Sequence, residues 1–426
     1  MFICHIIELY FDRRGGVIST LFLFGHYIAA RRSFLSLIVF IFMYSLFFCS
    51  VVLSSPFWNF HDGIFVDYVV ALIILLYNIL FFTAYKFFCK YGLTGCLMFS
   101  LIFSLLSYLW VIIPLNPLLL NLEYDALQWS AKSPVFCLFM LFLIPAILFA
   151  GEVNGVRAVI LLVLALILFI PFTIHGKNDN NINDKRIKVV VVQVGLYYEK
   201  GGNTERFFDD LYNFINMHKD VDIIVFSENV IYGHKSIYNK NLTDRLISKI
   251  KEHNINKQYA LLLNLHGYNN INNIVTLLMY KDEESINQKQ VLIPFIEKRT
   301  FVDKYEPLNS KFLNVHSEID KKTFRYKNFW IDTYVCYDSL FPRLRTTSGG
   351  IVLVQSDYKQ LDRGRGFDSI LLNGSKLSWF STALNSDLFI NVQNYGGTVV
   401  IRKNKGIDKE LFLLSKEQPF FVVSDL

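Results

Sequence analysis

The chain has 426 residues, a formal net charge of +6 and 53% hydrophobic residues. The length accommodates two domains, and the small positive charge, with no basic stripe interleaved with aromatics, argues against nucleic acid as a partner. The hydrophobic fraction is an average over two materials: residues 1 to about 175 are nearly all apolar, and the rest has an ordinary globular composition.

In the front part, apolar runs occur at about 33–53, 64–85, 93–113, 135–150 and 156–174, with a shorter one from Val17 to Ala30. A helix crosses a bilayer with about 20 apolar residues, so these runs predict an α-helical multispan membrane domain over residues 1–175, with five or six transmembrane helices. Burial as core helices is the alternative, and closely spaced apolar runs in succession disfavour it. Arg13, Arg14, Arg31 and Arg32 before the first long run, Lys86 and Lys90 after the second, and Arg157 at the fifth place the N-terminus in the cytoplasm. Five spans then put the rest of the chain on the periplasmic or outer side of a bacterial inner membrane. A sixth would reverse one end. No cleavable signal-peptide pattern is present.

Gly176 to Arg186 is polar and Asn-rich and reads as a linker. Residues 187–426 form the second domain. The β-branched run Ile187–Gln193 predicts a buried strand, and the spacing of Phe207, Phe208, Leu211, Phe214 and Ile215 predicts a helix over Thr204–His218. A second buried strand covers Asp222–Glu228, followed by a helix over Leu242–His253 and strands at Ala260–Leu265 and Ile274–Tyr280. Further strands are expected at Trp330–Cys336, Ile351–Gln355, Leu388–Gln393 and Thr398–Ile401, with a helix at Ser375–Ser386 and a strand-like tail from Phe420. Strands alternating with helices indicate a layered α/β domain.

Cys336 is the only one of the six cysteines outside the apolar front part. It has no intrachain disulfide partner in its own domain, and it ends an apolar strand, where a side chain can project into a cleft. That makes it a candidate nucleophile. A lone buried cysteine is also a common small hydrophobe. Glu228 ends an otherwise apolar strand, and Lys289 opens Lys-Gln-Val-Leu-Ile-Pro-Phe-Ile-Glu297. Taken singly, the first reads as a solvated turn residue and the second as surface. His234, His253 and His266 are scattered without the paired spacing of a metal site, so neither metal nor cofactor is expected. Arg343 and Arg345 could meet a phosphate head group, or be solvated.

The succession strand–Glu228, Lys289-to-Glu297, strand–Cys336-Tyr337-Asp338 resembles the nitrilase (carbon-nitrogen hydrolase) superfamily, and within it apolipoprotein N-acyltransferase. Asn394-Tyr-Gly-Gly397 resembles the family segment that precedes a strand. The resemblance covers about Ile187 to the C-terminus and implies an α/β nitrilase-like αββα sandwich. It implies Cys336 as the nucleophile, Glu228 as general base and Lys289 as the cation that stabilises thiolate and oxyanion. Glu297, Tyr337 and Asp338 are implied as supporting residues. The implied reaction moves a phospholipid acyl chain through a Cys336 thioester to the N-terminal amine of a diacylglyceryl lipoprotein, by a monomeric membrane enzyme. The sequence departs from the family in Asp338 (usually Glu), in Ser227 (usually Pro), and in Gln355-Ser-Asp357-Tyr-Lys-Gln360, which replaces an aromatic element. The front part is also shorter, and a final membrane helix is missing. Those departures resemble conjugal-transfer proteins of the TraB type, which implies a different acceptor. A catalytically inactive membrane scaffold is the third alternative.

Overall fold

The computed structural model describes residues 28–53, 64–109, 187–203, 205–218, 220–228, 240–253, 255–268, 271–293, 297, 322–340, 350–358, parts of 371–383, 386–403 and 406–424. The chain divides into two compact units, Met1–Asn181 with Leu361–Leu384, and Ile182–Gln360 with Asn385–Leu426.

In the first unit, helices α1 (Phe34–Leu53), α2 (Ile64–Cys89) and α3 (Gly92–Leu109) coincide with the first three apolar runs. Leu37 and Ile41 of α1, Phe81, Phe82 and Tyr85 of α2, and Cys96 and Phe99 of α3 are buried. The rings meet edge-on, Phe40 with Phe82 at 5.1 Å and Tyr85 with Phe99 at 4.9 Å between centroids, a favoured aromatic geometry. Lys86 Nζ donates to the carbonyls of Ala30 and Arg32, at 2.7 Å each.

This corrects the expected multispan membrane domain. Among the described residues no helix is long and apolar enough to cross a membrane. Some apolar side chains, such as Phe82 and Phe99, pack between the helices while others, such as Phe34 and Leu80, are exposed, and polar side chains such as Asn78, Lys86 and Ser100 interrupt the apolar sequence. The runs at 135–150 and 156–174, most of Val17–Ala30, and the linker lie outside the described residues.

The second unit holds two six-stranded sheets. In chain order the elements of the first sheet and its helices are β1 (Lys188–Val192), α4 (Val194–Glu199), α5 (Phe207–Met217), β2 (Ile223–Phe226), α6 (Lys240–Glu252), α7 (Ile255–Gln258), β3 (Ala260–Tyr268), β4 (Ile271–Tyr280) and β5 (Glu283–Gln288). The second sheet contains β6 (Phe324–Tyr326), β7 (Phe329–Val335), β8 (Ile351–Ser356), β9 (Leu388–Gln393), β10 (Val399–Arg402) and β11 (Gly406–Ile407). Helix α8 (Lys409–Glu417) then leads to β12 (Phe420–Ser424), which returns to the first sheet beside β1. The orders are β12-β1-β2-β3-β4-β5 and β11-β10-β9-β8-β7-β6.

Side chains alternate across a strand, and here both alternating sets are apolar because both faces of the first sheet are covered. Val189, Val191, Ile223, Val225 and Leu262 pack against Ile331, Leu353, Ile390 and Val392 of the second sheet. Val190, Val192, Ile224, Phe226, Leu261 and Leu263 face Phe207, Phe208, Leu211 and Ile215 of α5 and Ile250 of α6. The two sheets therefore stack face to face, with helices over the outer face of the first, a mixed α/β architecture as expected for this region. Of the helix expected at Ser375–Ser386, the described residues Ser375, Ser378, Trp379 and Thr382 are helical, and the Ala383 N–H donates to the Trp379 carbonyl at 2.8 Å.

Candidate active site

Strands β1, β2 and β3 run parallel, as do β7, β8 and β9. The carboxyl ends of parallel strands are where backbone turns away and leaves a crevice. Glu228 follows β2, Cys336 follows β7, Asp357 follows β8 and Asn394 follows β9. Four of the polar residues that the sequence singles out converge here: Glu228, Lys289, Glu297 and Cys336.

Lys289 comes directly after β5, whose pairing with β4 sets Val275 opposite Gln288. Its own N–H continues the ladder by donating to the Ile274 carbonyl at 2.8 Å. Its side chain is fully buried, and Nζ lies 2.6 Å from Glu297 Oε1 and 3.5 Å from Glu228 Oε1. Glu297 is fixed from behind, because its Oε2 accepts the Ile293 N–H at 2.8 Å. A buried lysine survives as a cation only with such partners. Burial pulls its pKa down, but the carboxylates of Glu297 and Glu228 and the thiol of Cys336 outweigh that and raise it.

Glu228 is buried. Loss of solvent pushes its carboxyl up to about 7, with the Lys289 charge opposing and Glu297 and Asp357 reinforcing the rise. A carboxyl poised near neutrality both takes and returns a proton. The Cys336 side chain acts against the rise and lowers the Glu228 carboxyl.

Cys336 opens a short 3-10 turn, Cys336–Leu340, that follows β7. Its φ is +45°, a left-handed conformation uncommon for a residue with a Cβ and a frequent mark of functional sites. Ser339 Oγ holds the turn by donating to the Cys336 carbonyl at 2.5 Å. The thiol is half-buried and free. Burial and the Glu228 charge push its pKa well up, while Lys289 and the Asp357 backbone N–H act the other way. The Cys336 thiol thus shares its surroundings with the Glu228 carboxyl and the Lys289 ammonium. Tyr337 and Asp338 are buried in the same turn, and the Tyr337 phenol is raised by burial and by Glu297.

Several residues that hold this arrangement carry little signal in sequence. Gln355 Nε2 donates to the Phe226 carbonyl at 2.9 Å, and its Oε1 accepts from Thr276 Oγ1 at 2.6 Å. That link ties β8 to β2 and β4 two residues before Glu228. Ser227, where the resembled family usually has Pro, donates to Asn394 Oδ1 at 2.9 Å, and the same oxygen accepts the Gly195 N–H at 2.8 Å. Asn394 Nδ2 reaches Asp357 Oδ2 at 3.3 Å. Each is a polar residue buried at a strand end, a pattern visible only once the strands are located. Arg343 and Arg345 lie outside the described residues. Among the described residues no group of three or more His, Cys, Asp or Glu could hold a metal ion.

No family model and no curated protein matches the chain. Similar solved structures include Nit3 of Saccharomyces cerevisiae, a member of branch 10 of the nitrilase superfamily, at 12% identity, covering 52% of this chain and 84% of that one with a TM-score of 0.35. A carbon-nitrogen hydrolase from Helicobacter pylori G27 is 11% identical over 56% of this chain and 88% of that one, with a TM-score of 0.37. An amidase from Nesterenkonia sp. is 15% identical over 56% and 90%, with a TM-score of 0.32. At these TM-scores the likeness carries no argument about this chain.

Proposed function

We propose that this chain is a cysteine-dependent enzyme of carbon-nitrogen hydrolase type, acting on an amide or ester carbonyl through a thioester on Cys336. The observation that carries the reading is the buried Lys289 held between Glu228 and Glu297 beside that thiol. Glu228 takes the thiol proton as sulfur bonds to the carbonyl carbon, and the oxygen becomes an oxyanion facing the Lys289 ammonium. Preorganised charge of this kind contributes about 3 kcal/mol. Collapse breaks the bond to the leaving nitrogen or oxygen, which collects the proton from Glu228. Glu228 then deprotonates the second nucleophile, water or an amine, which releases the acyl group and restores the thiol.

The finer reading is transfer: a phospholipid supplies the acyl chain and the N-terminal amine of a diacylglyceryl lipoprotein receives it. Its support is the run from Lys289 to Glu297 and Cys336-Tyr337-Asp338. The test is mass spectrometry of the Cys336 peptide after incubation with acyl esters and amides. A hydroxylamine-labile acyl adduct is expected in the wild type and not in Cys336→Ala. Absence of any adduct on Cys336 would refute the enzyme. Adducts from simple amides but never from phospholipid, with no acylation of a diacylglyceryl-cysteine peptide, would remove the finer reading alone.

A further inference from the structure

His266 belongs to the same crevice and has no part in the chemistry above. It lies near the carboxyl end of β3, and it pairs across the strands with Ile274 of β4. Lys289 donates to the carbonyl of that same Ile274. Cross-strand partners share a face, and Ile274 packs with Leu292, Val335 and Cys336. Lys289, Ile274 and His266 thus form one row across three strands, on the face that meets the thiol. At about 4.8 Å per strand, the His266 backbone stands about 10 Å from that of Lys289.

Two features make His266 more than a filler of this row. The register of β3 against β4 breaks between His266 and Tyr268, and Gly267 there has φ +100°. A bulge beside a site re-aims the side chain next to it. Both ring nitrogens are also shielded from solvent and have no hydrogen-bond partner among the described residues. Buried polar atoms are nearly always paired, so a ring with two positions unpaired among the described residues is set to meet a further polar group. Burial and the nearby Lys289 charge hold its pKa down, at about 4, so one nitrogen donates and the other accepts at neutral pH.

We propose that His266 recognises the substrate by hydrogen-bonding a polar group close to the scissile carbonyl, so that the preferred substrates of this site carry an amide or hydroxyl there rather than a plain alkyl chain. The inference rests on Cys336 being the nucleophile. The test compares thioester formation on Cys336 within two matched pairs of donors. The p-nitrophenyl esters of N-acetylglycine and pentanoic acid place the polar group on the acyl side. The N-butyryl derivatives of serinamide and propylamine place it on the leaving side. Wild type is expected to favour the polar member of one pair by at least about tenfold, mostly in KM. His266→Phe brings that ratio to about one, and His266→Asn recovers part of it, which a packing defect does not do. A ratio near one for wild type in both pairs, or a ratio unchanged in His266→Phe, overturns the recognition role while thioester formation upholds the nucleophile. No thioester from any donor overturns both.

Discussion

Replacing Lys289 by Met removes the cation that lies 2.6 Å from Glu297 and 3.5 Å from Glu228, both buried. Methionine preserves the bulk, so the loss is electrostatic. Breaking a buried pair by deleting one partner costs about 3–5 kcal/mol, because the remaining charge is left without compensation. At about 2–4 °C per kcal/mol for a unit of this size, the Tm falls by about 6–20 °C. The cost depends on pH, and its sign is fixed. Burial raises the Glu228 carboxyl and Lys289 opposes the rise, so without Lys289 the carboxyl moves further above about 7. A carboxyl raised in the folded state contributes stability that is complete below its unfolded value and is lost as pH rises through its folded value. The gap between variant and wild type therefore narrows towards pH 5 and widens at pH 8. Thioester formation falls about 10²–10³-fold through loss of the oxyanion partner. Thermal unfolding at a series of pH values, with timed trapping of the Cys336 adduct, measures both effects. A Tm loss independent of pH, or adduct formation within threefold of wild type, would refute the electrostatic account of this lysine.

Glu228→Gln removes a carboxyl pushed from 4.5 to about 7. The variant should gain stability over wild type as pH rises through that window, by up to about 3 kcal/mol at 1.4 kcal/mol per unit, while losing adduct formation; urea denaturation at pH 5 and pH 8 reads the difference. Cys336→Gly and Cys336→Ala both abolish the adduct, but the left-handed φ of +45° favours glycine. The Gly variant should therefore be more stable than the Ala variant by about 1 kcal/mol, and equal midpoints would count against strain at this position. Gln355→Leu leaves the Phe226 carbonyl and the Thr276 hydroxyl without their partner. It should cost about 1–3 kcal/mol and lower kcat through misplacement of Glu228, seen as a lower Tm and a slower adduct rate.

The strands of the second unit were legible because burial on both faces makes them continuous β-branched runs, as at Val189–Val192 and Ile223–Phe226. β5 and β6 were not, because their residues, Glu283 to Gln288 and Phe324 to Tyr326, are largely polar or too few to set a period. Lys289 reads as surface in isolation, since its burial depends on β5 and on Glu297 arriving from a later loop. The apolar front part misled in another way. Composition does not show which apolar side chains pack between helices, as Phe82 and Phe99 do, and which are exposed, as Phe34 and Leu80 are. In the sequence, His266 reads only as a histidine without metal spacing. Its place in the row with Lys289 depends on cross-strand register, which residue order alone does not express.

The pairing of β1 with β12 has a consequence for biosynthesis. Val189 finds its partner Val423 roughly 230 residues later, on the order of 10–50 s of translation at 5–20 residues per second. Through that interval one edge of the valine-rich β1 strand has no neighbour, and an open apolar edge is a template for pairing with other chains. The nascent chain thus carries an unpaired β1 edge until β12 has been made, and a chaperone that covers β1 over that interval would raise the yield of folded protein.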